Sequence, residues 1–229
     1  MTSPLETHPV LQLGPVPLSM PVLVTWGLML VLAGGSWLLT RRLALRPGRA
    51  QAAMELVVEA IDQQIRETMR VEPRPYLALI GTFFLFVLAA NWSSLIPGIE
   101  PPTASIETDA ALALIVFVAV IVHGLRARGW RGYLGSFLYP NIIMLPLNLI
   151  ENFTRTFALM VRLFGNVMSG VFVIGIVLSL VGFLVPVPLM ALELLTGAVQ
   201  AYIFGVLAMV FIGGAVEGEG GDARERKDG

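Results

Sequence analysis

The stretch "VGFLVPVP", residues 181–188, decides how the second half of this chain folds. It interrupts an apolar tract that runs from about 133 to 215, too long for a single helix. Proline has no amide hydrogen to give and glycine favours irregular backbone, so a glycine and two prolines so close together end a helix. The tract therefore divides into two long helices, about 148–181 and 188–214, folded back on one another as a hairpin.

Upstream, three more segments meet the requirement of about 20 mostly apolar residues for crossing a bilayer. They are 21–40, 76–97 and 109–125. Between the first two lies 49–70, where Met54, Val57, Val58, Ile61, Ile65 and Met69 recur mostly at steps of three and four. The opposite face carries Glu55, Glu59, Asp62, Arg66 and Glu67. That pattern predicts an amphipathic helix lying at the bilayer surface or against a partner. The expected fold is all-α and polytopic, with five membrane helices, one amphipathic surface helix and a disordered polar tail at 217–229, in one membrane domain.

Composition agrees. Of 229 residues, 56% are hydrophobic and 14% charged, against about 25% charged in a soluble protein; the mean hydropathy is +0.79. With no cysteine, disulfides, thiolate metal sites and cysteine nucleophiles drop out. His8 and His123 are far apart and make a poor metal set. A net charge of −1 argues against nucleic acid as a partner. Residues 1–20 hold four prolines and lack a basic start, so they do not read as a signal peptide. No Walker A sequence and no Ser-His-Asp set is visible, so no cofactor and no active site of its own is expected. The sequons at Asn91 and Asn152 fall in or beside spans and are not expected to be glycosylated.

The 15 basic residues cluster. Arg41, Arg42, Arg46, Arg49, Arg66, Arg70 and Arg74 follow the first span. Arg126, Arg128 and Arg131 follow the third, and Arg224, Arg226 and Lys227 lie in the tail. The positive-inside rule puts the N-terminus outside and the C-terminus in the cytoplasm, and five spans give the same answer.

Ionisable residues inside spans mark function. Arg162 sits mid-helix. At about 100° per residue, Glu151, Arg155, Arg162, Asn166 and Ser169 share one stripe. Glu151 and Arg155 are four apart and suited to pair with each other. The last helix carries Glu193 and Gln200 on one face, and Tyr202. Plainer roles stand beside these: a structural cation for Arg162, a protonated core residue for Glu193, interhelical hydrogen bonds for Asn166 and Gln200, an interfacial pair for Glu151 and Arg155, a core aromatic for Tyr202, and an interfacial histidine for His123.

"RLFGN" (162–166) and "VQAYIFGVL" (199–207), with "NWSSLIPG" (91–98), "PTAS" (102–105) and "GWRGYL" (129–134), resemble in order the a subunit of the bacterial F-type ATP synthase membrane sector. The resemblance implies the stator half of a rotary ion channel, with the long hairpin tilted against a ring of c subunits, and with the b-subunit peripheral stalk and the rest of the complex as further partners in the bacterial inner membrane. It implies two half-channels carrying H⁺ or Na⁺ to and from ring carboxylates, with Arg162 as the essential cation between them and Asn166 and Gln200 as its polar neighbours. Where relatives often carry an ionisable group nine residues after the arginine, this chain has Val171. The companion position is Glu193, expected to be the main titratable group of the outer half-channel. Where relatives often carry a glutamate fourteen residues before the arginine stands Asn148, with Glu151 one turn later as its substitute in the cytoplasmic half-channel. Ser169 and Tyr202 complete the expected lining. The competing expectations are a secondary transporter in which Arg162 binds an anionic substrate, and a passive membrane anchor.

Overall fold

The computed structural model describes residues 9–13, 16–41, 48–96, 99–138, 144–181 and 186–217. Six helices follow one another: α1 (Met20–Thr40), α2 (Arg49–Met69), α3 (Arg74–Trp92), α4 (Ile106–Leu138), α5 (Met144–Val181) and α6 (Pro186–Glu217). All but α2 contain a stretch long and apolar enough to cross a membrane. Residues 182–185 of the dividing stretch and 218–229 of the tail lie outside the described residues, as do Arg42 and Arg46.

The chain also forms an element that hydropathy does not announce. Strands β1 (Pro9–Leu13) and β2 (Val16–Ser19) pair antiparallel ahead of α1. Prolines at 9 and 17 fit a two-stranded ribbon, both of whose strands are edges. A second difference lies after the third span. The loop expected from residue 126 is helical to Leu138, with its break at Gly129, whose φ of 71° suits glycine. The break turns the last part of α4 back on the first, and the Tyr133 ring lies over Gly124. A Cβ at Gly124 would stand 2.5 Å from that ring.

In a bilayer, lipid is as apolar as a side chain, so close packing through small residues and specific polar contacts hold helices together. α3 and α6 run antiparallel in this way. Gly205 lies against Phe84, Gly197 against Asn91, and the Phe83 and Phe204 rings meet edge-on at 5.8 Å, a contact worth about 0.5–1.5 kcal/mol. Asn91 donates from Nδ2 to the Gly197 carbonyl (3.0 Å) and accepts from Thr103 Oγ1 (2.8 Å). Thr103 is fully buried in the short 3₁₀ turn Pro102–Ala104. This chain of bonds fastens the turn between α3 and α4 to α6.

α4 runs antiparallel to α3 and parallel to α6. Its buried stripe of Asp109, Leu112, Ala113, Val116, Ala119 and Val120 faces the bundle, and Ala215 of α6 stands opposite Gly124. α2 docks on its own chain. Ile65 and Met69 are buried, Ile61 lies against Gly81 of α3, Met69 against Gly213 of α6, and Tyr202 donates to Gln64 Oε1 (3.1 Å). Arg70 closes the helix in the left-handed region at φ 52°, its N–H on the Arg66 carbonyl.

Candidate functional site

α5 carries the site and is poorly covered by the rest of the chain. Only 11% of its most apolar stretch is buried, against 44% for α6. Its inner face is the narrow stripe Leu159, Leu163 and Val167. Glu151, Arg155, Arg162 and Ser169 of the expected polar stripe are exposed, and Asn166 is half-buried at its inner edge.

The members of that stripe are not equivalent. Arg155 is hydrogen-bonded and ion-paired to Glu151, and its guanidinium also lies 5.6 Å from the centre of the Phe211 ring of α6. Ser169 Oγ donates to the Asn166 carbonyl within the helix (2.9 Å). Asn152 Nδ2 donates to the Asn148 carbonyl (3.1 Å). Arg162 has no ion pair and no hydrogen bond among the described residues. It stands at the middle of the apolar span Pro146–Leu180, which is 35 residues long. At about 1.5 Å per residue that helix far exceeds a hydrocarbon core of about 30 Å, a mismatch that long spans meet by tilting, kinking or locally thickening the bilayer.

α6 presents its polar residues differently. Gln200 is buried at 7% exposure between buried Gly197, Ala201 and Phe204, so it is turned into the bundle. Tyr202 is 50% exposed. Glu193 is half-buried against Gly170 of α5, where a Cβ would come within 2.7 Å of Glu193 Oε1; that oxygen is buried and has no hydrogen-bond partner. Two contacts set the register of the hairpin. Gly170 against Glu193 and Arg155 over Phe211 bring Arg162 level with residues 201–204 of α6, and Asn166 level with 197–200. Gln200 thus lies near the level of Arg162. The two stripes do not face each other: that of α6 points inward, that of α5 outward.

Two residues were not singled out by sequence. Asn91, which opens the motif "NWSSLIPG", is the buried amide that ties three elements together. Asp109, the first residue of the third expected span, is 1% exposed. Its signal was an acid opening an apolar helix, one residue before "AALALIV". His123 stays beside Tyr76, ring centres 5.1 Å apart, its Nδ1 at 2.8 Å from the Ala119 carbonyl.

Among protein families, the ATP synthase A chain matches residues 22–213. This chain belongs to that family. It is 54% identical over 215 residues to ATP synthase subunit a 2 of Bradyrhizobium sp. (strain BTAi1), covering 94% of this chain and 96% of the relative. It is 51% identical to ATP synthase subunit a of Albidiferax ferrireducens, covering 90% of each, and 50% identical to ATP synthase subunit a 1 of Prosthecochloris aestuarii, covering 91% and 94%. The family is the non-catalytic stator subunit of the membrane sector of a rotary ATP synthase. Membership sets aside the transporter and passive-anchor readings.

Proposed function

We propose that this chain guides H⁺ or Na⁺ through two half-channels to and from the carboxylates of a c-subunit ring seated on the exposed face of α5. The observation that carries the proposal is Arg162, a cation at mid-span, exposed and with no hydrogen bond or ion pair among the described residues. Insertion scales put an arginine at a helix centre about 2.5–3.5 kcal/mol uphill, so a face that presents one is built for an anionic partner. Arginine stays protonated at any accessible pH. An opposite charge nearby lowers a carboxyl pKa by about 1–3 units, so each ring carboxylate gives up its ion as it passes Arg162. The same fixed charge repels ions that would cross directly between the half-channels.

Glu193, packed on Gly170 with Oε1 unpartnered, serves the outer half-channel. Asn166 and Gln200 flank the transfer point, with Ser169 and Tyr202 on the lining. Glu151 and Asn148 serve the cytoplasmic half-channel, Glu151 held by Arg155. The positive-inside rule supports an N-terminus outside and a C-terminus in the cytoplasm; on this reading the membrane is the bacterial inner membrane and the b-subunit stalk is a further partner.

The absence of native cysteine allows a direct test. In the assembled complex, Gly165→Cys and Ser169→Cys, both on the exposed face of α5, are expected to form disulfides with cysteines introduced in the ring subunit, and the buried Leu163→Cys is not. Cross-linking from Leu163→Cys alone would reverse the assignment of faces.

A second expectation concerns Gly170→Ala. The three atoms nearest the added methyl all belong to the flexible Glu193 side chain, so stability is expected to change by about 1 kcal/mol, the low end of the cost of overpacking. The displaced carboxylate should slow ion pumping several-fold in reconstituted vesicles. Unchanged pumping would mean that Glu193 works in another position.

A further inference from the structure

Among the described residues, three buried side-chain polar atoms have no hydrogen-bond partner: Glu193 Oε1 and both carboxylate oxygens of Asp109. Asp109 heads the inward stripe of α4, and that stripe is otherwise Leu, Ala and Val. Its backbone is conventional, with N–H on the Ser105 carbonyl (3.2 Å). An ionised carboxylate in such a place is costly unless a cation meets it, and no cationic side chain of the described residues does so.

Its level in the bundle follows from helix registers. α4 and α6 are parallel, with Gly124 opposite Ala215; stepping back fifteen residues along both helices from that pair sets Asp109 level with Gln200. α3 gives the same answer independently. Asn91 bonds to Thr103 and Tyr76 stacks on His123, so Asp109 lies level with residues 85–90 of α3. Gly205 against Phe84 and Gly197 against Asn91 then bring residues 198–204 of α6 to that height. Glu193 lies about two turns nearer the α3–α4 turn, and Arg162 lies level with residues 201–204.

We infer that Asp109 is a second ion-carrying carboxyl of this half-channel, standing between Glu193 and the transfer point at Arg162. It takes the translocated monovalent cation onto its carboxylate from the Glu193 side and releases the same cation toward the ring, so charge and atoms balance over each passage. Gln200, at the same height and buried, is a neutral polar group on the same path. The role of Asp109 rests on the ion path proposed above.

The test uses the whole complex in vesicles, with ATP-driven uptake followed by a pH-sensitive dye for protons and by radioactive sodium for Na⁺. Asp109→Asn and Asp109→Leu are both expected to assemble, since each removes a buried charge. Both should pump at least tenfold more slowly, and Asp109→Glu should recover much of the rate with an altered half-saturating cation concentration. Pumping at the unsubstituted rate in Asp109→Asn overturns the inference, as does loss of assembly in both the Asn and Leu variants, which would make the residue structural. Arg162→Ala run alongside separates the two levels. If it stops pumping while Asp109→Asn does not, Asp109 alone is misassigned; if neither matters, the ion path itself is wrong.

Discussion

Replacing Arg162 with alanine is expected to abolish ATP-driven ion pumping while the complex still assembles. Among the described residues Arg162 has no hydrogen bond or ion pair, and the buried face of α5 runs through Leu159, Leu163 and Val167 instead. Its loss therefore leaves the fold intact, and it relieves the free chain of a charge in lipid. In the complex it removes the charge that favours the ionised form of a passing ring carboxylate. A shift of about 1–3 pKa units is a factor of about 10–1,000 in the ratio of ionised to occupied groups, so release fails at neutral pH. Arg162→Lys is expected to fall in between, because an ammonium is a point charge that gives up its proton when desolvated. Vesicle pumping assays with a parallel measure of complex yield decide the matter. Normal coupled pumping by Arg162→Ala would overturn the mechanism.

Glu193→Gln is expected to slow pumping by about 100-fold, the lower end of what a positioned proton-transfer group contributes, and Glu151→Gln by far less. The two glutamates differ in what surrounds them. Glu151 already has a cation, Arg155, on its own helix, so the pair is largely self-contained. Glu193 lies against the open backbone of Gly170 with one oxygen buried and unpartnered, ready to take a proton or a metal cation without first breaking a bond. Equal and mild effects of both substitutions would move the ion path away from α6.

The membrane helices were legible because a span is a one-dimensional property, set by the hydropathy of neighbouring residues. The break at 181–188, the amphipathic period of 49–70 and the polar stripe through Arg162 all belong to this class. The ribbon at 9–19 was not legible, because hydropathy says little about a short strand pair at the start of a span. The extension of α4 to Leu138 was missed for a related reason: arginines and glycines after residue 125 look like a loop to any measure of apolarity, while helix geometry tolerates them up to the break at Gly129. In the site, the grouping of Glu193 with Gln200 followed from a spacing of seven. Which way that face points did not, since α3 and α4, which pack on α6, lie far away in sequence. Asp109 escaped because its significance is burial, and burial depends on how the helices pack, which hydropathy along the chain does not carry.

The sparse cover of α5 reaches into the life of the molecule before it works. On the ion path proposed above, a copy that has not met its rotor keeps that guanidinium unpaired in the bilayer, at a cost that an arriving anion removes. Binding that favours the folded subunit stabilises it by mass action, so resistance to unfolding is expected to rise on assembly.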